Sequence, residues 1–234
     1  MEGILCAGCR FSASMHGSRR RLALIGICLV GLSFSGLGSP SSADAAASQR
    51  LRSHFDWDAI LASPGYFDFA VLGLGGPADW KVTAGNNPPS PPNVVTQTVP
   101  DRPAGSIAAA VRRNASFRDG SLSLALEKGS GRGGLVFRMA DEKTFCALLV
   151  DLVSGEARLT AWRAGRSEEL GRGKADLANE WGVLAVSLKE STIEAKWNGK
   201  PLLQAADARP VAGRAGMATE GPGRVSFDEF LLEW

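Results

Sequence analysis

An all-β fold, an antiparallel β-sandwich, is predicted by three features of this sequence. Short runs of alternating apolar and polar residues recur along most of it. Turn residues separate the runs at near-regular spacing, and almost nothing repeats with the period of a helix. A parallel α/β architecture needs crossover helices, and no segment supplies them. The stretch 121–152, SLSLALEKGSGRGGLVFRMADEKTFCALLVDL, shows the pattern most fully. Leu122, Leu124 and Leu126 alternate with Ser121, Ser123 and Ala125, the period of a half-buried strand. Glycines at 129, 131, 133 and 134 interrupt it as a loop. Leu135-Val136-Phe137 restarts it, 140–143 reads as a turn, and 144–152 is a third apolar run.

The other elements follow in chain order. Residues 48–62 place Phe55, Trp57 and Ile60 among charges, as either a short helix or an extended lead-in strand. Residues 65–71 alternate like a strand, 73–77 form a loop, and Trp80-Lys81-Val82 begins another strand. The segment 86–92, NNPPSPP, cannot join a central ladder because proline lacks the N–H, and is expected as a surface loop. Strands are expected at 93–99, 106–112, 157–164, 181–189, 192–197, 200–204 and 213–219. Asn198-Gly199 is the strongest hairpin signal, since both residues tolerate the positive φ of a type I′ turn. In the last strand, 224–234, Val225 and Phe227 share one parity and Phe230, Leu232 and Trp234 the other. The switch at Asp228-Glu229 predicts a bulge.

The N-terminus is read apart from the fold. Arg19-Arg20-Arg21 precedes the apolar zone 22–37, and SPSSADAAA follows, the layout of a cleaved secretory signal ending near residue 47. Its arginines give it some likeness to a twin-arginine export signal, and Met15 is a second candidate start. The expected organisation is a signal over 1–47, a lead-in over 48–63 and one sandwich domain over 64–234. A secreted or periplasmic location follows, with no membrane span once the signal is removed. The 234-residue chain carries a formal charge of +2. Arg10, Arg19, Arg20 and Arg21 outweigh Glu2 and Asp44 in the first 47 residues, so the remainder is balanced. That excludes a nucleic-acid partner held by a concentrated positive field. Cys6, Cys9 and Cys28 lie in or before the signal, which leaves Cys146 as a small core residue.

The order of motifs resembles the concanavalin A-like lectin/glucanase superfamily, a jelly-roll fold. It resembles most the laminin-G-like bacterial secreted domains related to 3-keto-disaccharide hydrolases. The matching pieces are Gly65-Tyr66-Phe67, Gly75-Gly76-Pro77 and Trp80-Lys81-Val82. Pro92-Asn93-Val94-Val95-Thr96-Gln97 follows, then Gly133-Gly134-Leu135-Val136-Phe137-Arg138 with Asp141. Trp181, Trp197-Asn198-Gly199-Lys200, Gly213 to Gly216 and Phe227-Asp228-Glu229-Phe230 complete the series. The resemblance implies a saccharide or cell-envelope glycan as partner. It offers a non-catalytic binding module, a hydrolase or lyase of keto-sugars or glycosides, or a structural or protein-interaction module. The stretches 143–146, 148–151 and 217–220 depart from the family's polar pattern.

Candidate site residues come from the matched motifs. Trp80 offers a flat apolar platform, and Gln97 can donate and accept at one hydroxyl. Arg138 offers a guanidinium fork, with Asp141 as acceptor or partner. Trp162, Trp181 and Trp197 are further rings that either stack on sugar or fill the core. Asp228 is a candidate ligand for structural calcium, as the resemblance implies near the last strand. The carboxylates Glu127, Asp141, Asp151 and Glu156 are scattered rather than paired for glycoside cleavage. A Ser-His-Asp triad would have to use His54, which precedes the matched motifs. Protein recovered from the cell envelope is expected to begin near Ala46 or Ser48 on N-terminal sequencing; a full-length cytoplasmic product would contradict the export signal.

Overall fold

The computed structural model describes residues 48–234, and the expected signal segment lies outside them. Every regular element there is a strand. The first five are β1 (Arg50–Ser53), β2 (Phe67–Gly73), β3 (Trp80–Ala84), β4 (Asn93–Gln97) and β5 (Ser106–Phe117). Next come β6 (Gly120–Glu127), β7 (Arg132–Asp141), β8 (Thr144–Asp151), β9 (Glu156–Arg163) and β10 (Arg166–Lys174). The last five are β11 (Trp181–Lys189), β12 (Thr192–Trp197), β13 (Lys200–Ala206), β14 (Gly213–Glu220) and β15 (Val225–Glu233). All pairings are antiparallel. Sheet A runs β13-β12-β11-β6-β15-β4-β3, with β1 also on β15; sheet B runs β10-β9-β8-β7-β14-β5-β2.

The core lies between the sheets, built by alternation on each. Leu122, Leu124 and Leu126 of β6 meet Leu135 and Phe137 of β7 and Leu148 and Val150 of β8. Aromatic rings close one side. Phe67 contacts Phe55 and Phe230 at 6.0 and 5.6 Å between centroids. Trp197 lies flat over Gly182, where any side chain would collide with the indole.

The lead-in segment resolves as a strand. Arg50 to Ser53 pair with Glu233 to Phe230, while Val225 to Phe227 pair with Gln97 to Val95. The predicted bulge separates these two halves of β15, and Glu229 takes a positive φ of 52° there. The extra residue lets Phe227 and Phe230 both face the core at 1% exposure or less. Strand β10 had no counterpart in the sequence reading. Its side chains are mostly exposed and charged, because it is an edge strand with little apolar face.

The proline-rich segment crosses the outer face of sheet A as a strap. Pro88 is buried, the Trp181 indole N–H donates to the Asn86 carbonyl at 3.0 Å, and the Ser90 N–H donates to Asp228 at 2.7 Å.

One end of the sandwich is closed by charge rather than by hydrocarbon. A bulge in β7, with Arg138 at φ 51°, turns the Arg138 side chain inward after Phe137. Its guanidinium is fully buried and pairs with Asp207, just beyond β13, at 3.0 Å. It also donates to the Glu190 carbonyl in the β11–β12 turn. Arg163 of β9 donates to the same carboxylate at 2.7 Å, and the Arg209 N–H donates to it at 3.0 Å. Burial pushes Asp207 toward its neutral form. The Arg209 N–H and the arginines outweigh that and hold its pKa below the ordinary carboxylate value. Cys146 lies beneath this cluster, its Sγ 3.8 Å from Asp207.

Two stability measurements check these readings. Gly199 sits at φ 77° with open space around it, so Gly199→Val should cost about 1–2 kcal/mol through backbone strain alone. Asp207→Ala strands the buried Arg138 charge and should cost about 3–5 kcal/mol in denaturant unfolding. A loss under about 1 kcal/mol would show that solvent reaches the cluster.

Candidate functional site

The outer face of sheet B carries a groove. Its lining includes Leu74 next to β2, Arg132 on β7, Ala147 and Leu149 on β8, and Arg158, Thr160 and Trp162 on β9. Ser167 and Arg172 of β10 and Glu220 of β14 contribute as well. The strand period decides which residues face it. In β9, Ala157, Leu159 and Ala161 enter the core between the sheets, so Arg158, Thr160 and Trp162 fall on the other side. In β8 the same rule sends Cys146, Leu148 and Val150 inward and Phe145, Ala147 and Leu149 outward. Phe145, Val136, Ala147, Leu149 and Ala218 form a second apolar cluster on this face, with Trp162 packed against it.

Trp162 is fixed in orientation. Its indole stacks on Phe145 with centroids 4.5 Å apart and planes 13° from parallel. Ser167 is its direct cross-strand partner, and Thr160 stands two residues along the same strand. A bulge at Leu170 shifts the β10 register, so that Leu170 packs on the core and Arg172 falls opposite Arg158 on the groove side. Glu169 bridges the two arginines, at 3.5 Å from Arg158 and within hydrogen-bond distance of Arg172. At the far end Arg132 binds Glu220 at 3.0 Å and Asp151 at 3.5 Å. Burial favours the neutral form of Asp151. The N–H groups of Ser154 and Val153 and the Arg132 guanidinium outweigh it, and its pKa is lowered. It is therefore ill suited to donate a proton to a leaving group.

The residues singled out from sequence do not meet at one place. Trp80 is 2% exposed and packs against Phe227 at 5.6 Å, so it is core. Gln97 is fully buried, its amide facing the backbone of Val99. Arg138 belongs to the inter-sheet cluster described above, away from any cleft. Asp141 is exposed and accepts the Lys143 N–H at 2.7 Å in the β7–β8 turn, and its expected pairing with Arg138 does not form. Trp197 is core, with its N–H on the Asp176 carbonyl, and Trp181 holds the strap. Of the tryptophans named from sequence, Trp162 alone reaches the groove, and its parity with Arg158 and Thr160 was the available signal.

Asp228 is buried beside the strap. Its two oxygens accept the N–H groups of Ser90 and Glu229, each at 2.7 Å. Burial lifts its pKa to about 6 despite those donors, with Glu229 and Asp56 adding repulsion. The groups aimed at this carboxylate are N–H donors rather than the several oxygens calcium requires, so the donor set does not fit that ion. Nearby, Asp56 Oδ2 lies between Ser90 Oγ at 2.6 Å and His54 Nδ1 at 2.9 Å. With the carboxylate in the middle, the serine does not face the histidine, and no proton relay to Ser90 is set up.

No family model matches the sequence, and no curated protein matches it. Solved structures do. A protein of unknown function from Shewanella oneidensis MR-1 aligns with a TM-score of 0.53 at 14% identity, over 85% of this chain and 95% of that one. A Bacillus subtilis protein of unknown function with a galectin-like fold aligns at 0.52 and 12% identity, over 70% and 88%. A β-glucanase from Bacillus licheniformis aligns at 0.51 and 8% identity, over 78% and 97%. Taken with the order of strands in its two sheets, these matches give the chain a jelly-roll β-sandwich fold.

Proposed function

We propose that the groove on sheet B binds saccharide and that the chain acts as an exported, non-catalytic recognition module. The observation that carries this reading is Trp162, an indole held flat against Phe145 on the groove side of β9, with hydroxyls and guanidinium groups around it. A sugar ring presents a C–H face that packs on an aromatic plane and a rim of hydroxyls that need donors and acceptors. Trp162 supplies the plane. Thr160, Ser167, Arg158 and Arg172 stand where the rim would fall. The fold is shared with a β-glucanase and with a protein of unknown function that has a galectin-like fold, which agrees with a carbohydrate ligand. A binding role rather than hydrolysis is supported by the acids at the groove. Glu220 is tied, with the adjacent Asp151, to Arg132, while Glu142 and Glu156 lie beyond opposite ends of β8 rather than paired. The exported location rests on residues 1–47, outside the described structure.

A panel of soluble glucans, fructans, arabinans and cell-envelope glycans, tested by titration calorimetry, measures this directly. At least one should bind, and Trp162→Ala should weaken that binding by about 1.5–3 kcal/mol, the scale of exposing a buried aromatic. Trp162→Phe should retain most of it. Absence of binding to every glycan at millimolar concentration would overturn the proposal.

A further inference from the structure

The sandwich has five edge strands, and four are guarded. Strand β1, paired only with β15, carries Arg50 and Arg52. Strand β10 carries Arg166, Glu168, Glu169, Arg172 and Lys174 and a bulge. Strand β13 carries Pro201 and lies against a register shift in its pairing with β12. Strand β3 is covered, because the Leu61 N–H donates to the Val82 carbonyl and the Val82 N–H donates to the Ala62 carbonyl, both at 2.8 Å. Charges, prolines, bulges and covering segments are the devices that keep sheet edges from pairing with other chains. Strand β2 carries a single charge, Asp68, and neither a proline nor a bulge. Among the described residues it pairs only with β5, and its exposed side chains include Phe69 and Val71. Apart from Val153 and Val183, every exposed large apolar side chain described lies between residues 57 and 74.

The apolar residues of this edge are arranged symmetrically about Ala70. Tyr66 is 70% exposed, Phe69 45%, Val71 39% and Leu74 77%. If two copies of β2 run antiparallel about a twofold axis at Ala70, Phe69 of each falls opposite Val71 of the other. Tyr66 and Leu74 flank the two ends of the strand, where positive φ at Tyr66 and Gly73 ends the extended backbone. The exposed apolar side chains of the strand itself thus meet in aromatic–aliphatic pairs that favour cross-strand packing. The only charge, Asp68, falls opposite Leu72 and meets no like charge; it is already held by Arg113 and Arg214.

The backbone permits the same register. The Arg113 N–H donates to the Tyr66 carbonyl, and the Leu74 N–H donates to the Gly105 carbonyl. Even-numbered residues therefore turn their backbone groups toward β5, and odd-numbered residues turn theirs outward. The outward groups of Phe69 and Val71 are the ones this register pairs. Ala70 meets its own copy at a non-hydrogen-bonded position, where the strands approach most closely and a small side chain fits.

We propose that β2 is a self-association surface whose partner is a second copy of this chain, joined antiparallel about Ala70 so that sheet B continues from one copy into the other. The contact is isologous and closes at two copies.

Sedimentation velocity on the full chain, over a concentration series, should show a monomer–dimer equilibrium. Phe69→Lys with Val71→Lys places lysines opposite one another and should raise the dissociation constant by roughly a hundredfold. The matching pair of glutamate substitutions should do the same alone. Mixing the two variants should restore a heterodimer, a result that misfolding of either variant cannot produce. Ala70→Cys should form an intermolecular disulfide under mild oxidation, above the level of the unsubstituted chain, whereas Leu72→Cys should not. A wild-type chain that stays monomeric at high concentration would refute the proposal. So would a dimer unaffected by the charged variants, or a Leu72→Cys crosslink as efficient as that at Ala70. Capture of a different protein by a monomeric chain through this edge would refute it equally.

Discussion

The meeting of Arg138, Arg163 and Asp207 fixes how the two sheets face each other at one end. Hydrophobic burial holds them together but is not directional, and it would tolerate small slides and rotations. The charged cluster does not. Arg138 comes from β7 and Arg163 from β9, both in sheet B. Asp207 follows β13 of sheet A, and the Glu190 carbonyl belongs to the β11–β12 turn. One fully buried guanidinium and one partly buried one share a single carboxylate. That arrangement is favourable only with close pairing, which fixes distances across the sandwich even though the Arg138 Nε–H has no partner. The inward turn of Arg138 requires the bulge in β7, and the bulge requires a close approach by Gly213, where a side chain would strike the Arg138 backbone.

Much of the architecture was legible because it depends on period-two patterning. The leucines of β6, the parity switch in β15 and the Asn198-Gly199 turn each state their structure locally. Strand β10 was not legible, since an exposed edge strand has no apolar face to alternate. Arg138 was misread for a related reason. Strict alternation after Phe137 sends the arginine outward, and nothing within 135–141 announces the bulge that sends it inward. Its partner lies in a different sheet, at a sequence distance that no local pattern spans. Trp80 and Gln97 were chosen for their chemistry, but their own strands place them against the core. Trp162 carried its signal in the parity of β9.

The two outer faces differ in what covers them. The strap crosses sheet A, and its contacts with Asp228 and Trp181 tie strands β15 and β11 together from outside. The same segment buries Asp228, which explains the raised pKa of that carboxylate. On sheet B the groove residues come from six strands and four connecting segments, so the shape of the site depends on the sheet as a whole.

The charged cluster also decides the chemistry of Cys146. Burial and the neighbouring Asp207 carboxylate, opposed by Arg163, push its thiol up to about 11, and it is fully inaccessible. Oxidants, electrophiles and soft metals react with the thiolate rather than the thiol. The sulfur therefore stays a protonated, buried partner of Asp207 and Arg163, and the domain can pass through oxidising surroundings without forming mixed disulfides or losing material to sulfenic acid.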